Sequence, residues 1–442
     1  MNKFRDPIHG FIEVTDEEKR IIDSGPFRRL RNIKQLATTN LVYHGAEHTR
    51  FGHSLGVMHL VTQTFDAVMQ KNPNLFSKKA NENDKICLYY RQILRLIALC
   101  HDLGHAPFSH ASEELFSDRR THEDYTKDII CNTEIADYIE DIGKEFQKKY
   151  GNEYSITPDL IWMIYGGEVM ADGYKRPDYP FLQNFVDGEL DCDKMDYLLR
   201  DSYYCGVNYG KYDLERFIST LTVYKTKNSM KLAIETGGIQ ALEEFILARY
   251  FMFIQVYFHK TRRYFDKQLV EALKRILPDG HYPAKTKEYL KWDDNRVMYE
   301  LQNCNSQKVR PFMDRITMTC VYETPAHTSV SESQKFQMIY NLLCKELGAR
   351  YIMIDSVDKV AHKLHPFYFS SSGEDDDSGK TITILGRDAS EKIDLMEESK
   401  ILNSIIAPIY IRRIYVKKEK VQIAKNLIKK VCLGGKENGR TR

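Results

Sequence analysis

The stretch Ile93 to His110, ILRLIALCHDLGHAPFSH, decides how this chain is read. Its apolar residues Ile93, Leu96, Ile97 and Cys100 recur at i, i+3, i+4 and i+7, one face of a helix, and His101 continues that stripe at i+8. An imidazole at the end of a buried helix face is followed at once by Asp102, and Gly104 then lets the chain leave the helix. A carboxylate left unpaired there would be costly, and a bound cation is one remedy. His53 repeats the habit, forming an i, i+4, i+7, i+8 stripe with Val57, Leu60 and Val61.

Working outward, imidazoles gather around these two positions. Eight of the 14 histidines (His44, His48, His53, His59, His101, His105, His110 and His122) lie between residues 44 and 122, far above an even spread. Imidazole is the commonest metal ligand and the usual proton carrier near neutral pH, so a metal-dependent active site is the first candidate; for any single histidine the alternative is a satisfied core residue. Further on, Leu190 to Asp201 (LDCDKMDYLLRD) sets Asp193, Tyr197, Arg200 and Asp201 at i, i+4, i+7 and i+8. One helix face can thus offer a carboxylate to a metal, Tyr197 and Asp201 to a sugar or base, and Lys194 at its edge to a phosphate, the alternative being an exposed charged helix.

The whole chain has room for such a site. Its 442 residues allow one large or two to three ordinary domains, and 42% hydrophobic with 29% charged residues is the composition of a folded, water-soluble protein. Lys+Arg 64 against Asp+Glu 62 leaves no global excess for coating a polyanion. The most apolar stretch, Ile246 to Phe258, is interrupted by Arg249 and Gln255 and falls short of the ~20 residues a membrane span needs. The N-terminus carries no apolar segment of signal type, and nine cysteines without a Cys-x-x-Cys pair fit reduced thiols, so a cytoplasmic address is expected.

From Asp16 to about Arg275 the periodicity is helical, and this part reads as all-α. Turn formers from Pro278 to Pro283 break it. Residues 1–277 are therefore read as one module, 278–425 as a smaller α+β lobe and 426–442 as a basic, flexible tail. In the lobe, Ser331 with Gln334 suggests a capping box opening a helix that stops at Gly348. Tyr351 to Ile354, Thr381 to Leu385 and Ile409 to Val416 read as strands, and Ser370 to Gly379 as a solvated loop.

These residues resemble a known family. His53, the pair His101 and Asp102, and Asp193 look like the H…HD…D signature of HD-domain phosphohydrolases. Asp6 to Gly10 (DPIHG), Arg29 to Leu36 (RLRNIKQL), Gly45 to Val57 (GAEHTRFGHSLGV) and Val256 to Lys260 (VYFHK) are similar to the deoxynucleoside triphosphate triphosphohydrolases, among them the vertebrate SAM-and-HD-domain enzyme and bacterial relatives. The resemblance implies a mainly α, helical HD-domain fold with a smaller C-terminal α+β lobe. It implies cleavage of a dNTP between the 5′ oxygen and the α-phosphorus, giving deoxynucleoside and inorganic tripolyphosphate. No SAM domain is expected, since the matching motifs begin at residue 6.

By the same resemblance, His53, His101, Asp102 and Asp193 would hold a transition-metal ion, Fe, Mn, Zn or Ni, with Mg²⁺ or Mn²⁺ accompanying the triphosphate. His110 and Glu113 correspond to a proton-transfer pair, and His105 and His122 to further active-site positions. Arg50, Lys194, Arg249 and Lys260 match phosphate contacts; Gln35 and Asp201 match readers of the 3′-hydroxyl; Tyr197 lies under the deoxyribose, with Leu36 and Tyr257 as walls. Relatives assemble as oligomers activated by nucleotides, so a homodimer or tetramer is expected, with residues 1–36 contributing to regulation. Asp23 and Arg31 fit the regulatory pattern, but Arg28 stands where a glutamine reads guanine, leaving the activator, or its existence, open. Base preference stays open too, dGTP being one candidate, as does a role in lowering dNTP pools against phage or virus. Lys417 to Lys430 reads either as a nucleic-acid or nucleotide contact or as a solvated face. The competing functions are an HD-type phosphodiesterase or nuclease and a catalytically silent nucleotide sensor.

Overall fold

A hairpin, β1 (Asn2–Asp6) with β2 (Gly10–Val14), opens the chain and turns at Gly10, whose φ of +74° favours glycine. The computed structural model describes residues 2–167, 178–226, 229–359, 382–386, 392–393, 395–405 and 409–437. After the hairpin run α1 (Asp16–Ile22), α2 (Gly25–Arg29), α3 (Arg50–Lys71), α4 (Ala80–Cys100), α5 (His122–Asn132), α6 (Glu134–Tyr150), α7 (Pro158–Tyr165), α8 (Asp178–Gln183), α9 (Cys192–Cys205) and α10 (Leu214–Thr220). Short polar caps set their starts: Thr15 with Glu18 and Thr121 with Asp124 form capping boxes, and Asp191 accepts the Lys194 N–H at the head of α9. The apolar stripes of α3 and α4 lie in one large core, with Val57, Leu60, Val61, Ile93, Leu96 and Cys100 essentially inaccessible.

The expectation of an all-α first part is corrected here. Besides the N-terminal hairpin, β3 (Leu221–Lys225) and β4 (Met230–Glu235) form a second one, followed by α11 (Ile239–Met252), a π-helical turn over Phe253–Tyr257, α12 (Lys260–Leu273), α13 (Thr286–Tyr289), α14 (Asp294–Asn303) and α15 (Arg310–Met313). Next come β5 (Thr319–Glu323), α16 (Val330–Leu347), β6 (Ile352–Lys359), β7 (Thr383–Leu385), β8 (Lys392–Ile393), α17 (Leu395–Glu398), α18 (Lys400–Ser404), β9 (Ile409–Val416) and α19 (Val421–Glu437). The α16 cap is Ser329 with Glu332, two residues before the expected box, because Ser329 keeps the extended backbone a cap requires; Gly348 ends the helix as expected.

Strands β5, β9 and β6 make an antiparallel sheet in that order, with Ile352 opposite Val416. The strand read from Thr381 to Leu385 spans Thr383–Leu385, Thr381 lying outside the described residues, and it pairs parallel with β4 in the sheet β3-β4-β7-β8 instead of joining the lobe's sheet. The segment Ser370 to Gly379 also lies outside the described residues. Residues 426–437, expected as tail, are helical: Leu427, Ile428 and Val431 of α19 pack on Phe336, Ile339 and Leu343 of α16 and on Ile414 of β9, giving the amphipathic helix an apolar partner. Packing also runs across Leu277, since Phe116 and Tyr125 share a core with Tyr282, Tyr289 and Trp292. The eight described cysteines are unpaired thiols, and among the described residues no helix is long and apolar enough to cross a membrane.

Candidate metal and catalytic site

Three helices bring together the four residues read as metal ligands. His53 lies in the first turn of α3, His101 and Asp102 follow the last residue of α4, and Asp193 sits in the first turn of α9. Nε2 of His53 is 2.8 Å from Oδ1 of Asp193 and 3.7 Å from Oδ2 of Asp102; Nε2 of His101 is 3.6 Å from the same Asp193 oxygen and 3.4 Å from Asp102. Nδ1 of His101 donates to the Ala98 carbonyl at 2.7 Å, which leaves Nε2 as the acceptor lone pair, buried and without a hydrogen-bond partner. A lone pair aimed at carboxylates repels them unless a cation lies between. His53, His101 and Asp102 therefore fit a divalent metal ion, and Asp193 Oδ1 stands beside both imidazoles. Burial disfavours charge on His53, yet Asp193, Asp196 and Asp102 outweigh it and draw its pKa up to about 10. Asp102 is held well below the usual carboxylate range despite burial, chiefly by Arg50 at 2.6 Å and then by His101 and His105.

Asp196, which the sequence reading passed over, orients this set. Nδ1 of His53 donates to its Oδ2 at 2.8 Å, and Asp196 is in turn held by Arg200 at 2.7 and 2.9 Å and by His9 at 2.7 Å. Arg200 also reaches Asp6 at 2.8 Å, so the N-terminal hairpin backs the Asp196 and His53 pair. Close approach of α3 and α9 depends on Gly56, where a Cβ would stand 1.9 Å from Asp196 Oδ1. The signal was present: Asp196 lies three residues after Asp193, on the same helix, facing α3.

A second cluster lies alongside. Glu113 accepts from Nδ1 of His105 at 2.6 Å and from Nδ1 of His110 at 2.9 Å, and pairs with His122 at 3.3 Å; the His105 and His122 rings stack at 4.1 Å. Gly104 makes this stacking sterically feasible, since a Cβ there would meet the His122 carbonyl at 1.9 Å. Burial, reinforced by Arg50 and His122, pushes His105 down to about 4. Burial is outweighed at Glu113 by His105 and the other imidazoles, which keep it ionised far below its usual range. His110 differs from its neighbours in exposure: 64% of its side chain is accessible, at the rim of the cavity.

The cavity encloses about 970 Å³ and collects most of the expected substrate residues. Gln35, Leu36, Arg50, Lys194, Tyr197, Asp201, Arg249 and Tyr257 all line it. Asp201 accepts from Tyr257 Oη at 2.7 Å and faces Nε2 of His48 at 2.7 Å, while the Tyr197 and Tyr257 rings meet edge to face at 6.3 Å. Lys194 reaches back to Asp191 and to the Gly188 carbonyl at 2.8 Å. Oε1 of Gln35 and Nε of Arg249 are buried without hydrogen-bond partners. The backbone of His259 leaves the helical region and starts α12 in a new phase, so Lys260 is exposed and off the cavity wall, while Arg262, Arg263 and Lys267 of that helix line it. The phase of those three depends on that break, while Tyr165 reaches the cavity from the end of α7. Of the expected regulatory residues, Asp23 pairs with Lys19 and Arg28 is exposed, both away from this cavity; Arg31 lies over the Phe51 ring at 3.4 Å and lines a separate cleft of about 380 Å³ with Arg5, Asp6 and Arg200.

A helical frame thus carries an imidazole-carboxylate set that fits a divalent ion beside three imidazoles gathered on one carboxylate. The HD domain matches residues 50–165 and the HD associated region residues 212–340, and the chain belongs to the HD-domain phosphohydrolase family. It is similar to a solved structure described as a hypothetical protein from Aquifex aeolicus, at TM-score 0.74 and 31% identity over 97% of this chain and 99% of that one. It is 29% identical to the uncharacterized protein YwfO of Bacillus subtilis, covering 91% of this chain and 88% of YwfO. It is 28% identical to human deoxynucleoside triphosphate triphosphohydrolase SAMHD1 over 80% of this chain, and spans about half (53%) of that relative's length.

Proposed function

We propose that the protein is a dNTP triphosphohydrolase that releases deoxynucleoside and inorganic tripolyphosphate. The observation that carries this reading is one cavity lined by His101, Asp102 and Asp193, by the imidazoles of His105, His110 and His122, by cations that include Arg50, Lys194 and Arg249, and by Tyr197, Tyr257 and Asp201 as a sugar wall. His53, His101, Asp102 and Asp193 would hold the metal, which supplies Lewis-acid polarisation of the phosphoryl oxygen and an activated water. Arg50, Lys194 and Arg249 offset the triphosphate's charge as it leaves water. Glu113 fixes Nδ1 of His110, so that Nε2 can deliver a proton to the departing 5′ oxygen, a strong base as an alkoxide. Gln35 and Asp201 would take the 3′-hydroxyl, and the Tyr197 ring leaves no space for a 2′-hydroxyl. Nucleotide activation of an oligomer, dGTP preference and a role in limiting dNTP pools under phage or virus attack extend the same reading.

The test is product analysis with Mn²⁺ and each dNTP alone, then all four together, following tripolyphosphate and nucleoside by chromatography. Tripolyphosphate from single dNTPs is the expected result, and activity only in mixtures would add an activating site. A metal-loaded protein that yields no tripolyphosphate under either condition would overturn the reading in favour of a phosphodiesterase or a sensor.

A further inference from the structure

Asp294 stands outside the cavity, on the first turn of α14 in the HD associated region, and is 4% exposed. Its Oδ1 accepts the Phe108 N–H at 2.7 Å and its Oδ2 the Lys34 N–H at 3.0 Å. Burial pushes this carboxyl up to about 7, the two N–H groups offsetting part of the cost. A group so expensive to bury, with no access to substrate, needs another reason to be there.

The reason lies in what the two amides belong to. Phe108 and Ser109 are consecutive non-glycine residues in the left-handed region, with φ of 59° and 52°, immediately before His110. Lys34 immediately precedes Gln35 and Leu36 on the opposite wall. Ser109 ties the two segments again, donating from Oγ to the Lys34 carbonyl at 2.7 Å and accepting from Arg50 Nε at 2.8 Å. Arg29 reinforces the junction from α2, donating to the Trp292 carbonyl at 2.8 Å and to the His105 carbonyl at 3.0 Å. The α14 end of the HD associated region thus grips the loop that carries the imidazole cluster.

We propose that Asp294 is a positioning residue for the reaction: its carboxylate holds the left-handed Phe108 and Ser109 turn and the Lys34 to Leu36 segment in one register, so that His110 and Gln35 face the same substrate. This rests on the proposed role of His110. The metal ligands lie on α3, α9 and the end of α4, so the metal should not depend on it.

The test compares Asp294→Asn and Asp294→Ala in the full, metal-loaded chain, with kcat and KM for a dNTP, metal stoichiometry and hydrogen exchange by peptide. We expect kcat to fall about 10²-fold in the alanine variant. The asparagine variant, which keeps one acceptor, should lose less, with wild-type metal content in both and faster exchange confined to 33–36 and 106–110. Wild-type kcat with unchanged exchange in those segments would overturn the proposal, as would metal loss with exchange rising throughout α3 and α4. If the wild type makes no tripolyphosphate, the proposed reaction falls, and exchange at 33–36 and 106–110 still reads the grip by itself: unchanged protection there ends the proposal. Should Asp294→Ala fail to fold, Asp294→Asn carries the same readouts.

Discussion

Two clusters of histidine and carboxylate sit side by side in this protein, and each has ligand atoms close enough to surround an ion. In the His53, His101, Asp102 and Asp193 set, both imidazoles turn Nδ1 away, to Asp196 and to the Ala98 carbonyl, so both Nε2 atoms face the acids. In the His105, His110, Glu113 and His122 set, a single carboxylate holds the Nδ1 side of all three imidazoles. The first arrangement suits a cation; in the second the three imidazoles share Glu113, and His110 opens to the cavity. What distinguishes the two clusters is the direction of the N–H groups, since the residue types are the same, and on that difference rests the proposed division into a metal centre and a proton relay.

The largest effect should come from breaking the first cluster. Asp102→Ala removes a ligand and leaves Arg50 buried without its partner, so we expect loss of bound metal and, in the metal-free protein, a stability loss of roughly 3–5 kcal/mol by denaturant unfolding. Retained metal at wild-type stability would remove Asp102 from the centre. A smaller change tests its support: Asp196→Asn keeps the shape but weakens the acceptor for His53 Nδ1, and metal affinity by competition titration should drop about 10–100-fold. An unchanged affinity would make Asp196 merely a partner of Arg200.

The smallest effect concerns a histidine in neither cluster. His59 faces His9, with ring centroids 5.3 Å apart; burial, with His9 and Arg95, lowers its pKa from 6.5 to about 4. The unfolded chain therefore binds the extra proton first as pH falls, and His59 costs stability progressively between about 6.5 and 4, with no further change below. His59→Leu should shallow the wild-type decline across that window when denaturation midpoints are compared at pH 7 and 4.5; parallel declines would show that His59 titrates freely.

The convergence of His53 and His101 was legible because helical phase alone turns both inward, and the clustering of histidines marked the same region. Phase could not say that His48 would serve Asp201 while His44 stays at the surface, because that depends on α9 packing across α3. Asp196 was readable from its i, i+3 spacing to Asp193, but its hold on His53 depends on the close approach of α3 and α9 at Gly56, which no local pattern records. The sheets were harder for a physical reason: β4 gains its parallel partner β7 about 150 residues later, and no local period records a pairing over that distance. That Arg262, Arg263 and Lys267 reach the cavity wall and Lys260 does not follows from a single backbone break at His259, which no local period records.

The most direct measurement is made on wild type and His110→Ala in parallel, quantifying bound metal and tripolyphosphate in the same preparations. The account predicts stoichiometric metal in both, with turnover lowered by about 10²–10⁴-fold in the variant. Metal lost together with activity in His110→Ala would contradict the division into a metal centre and a proton relay, and would place His110 among the ligands.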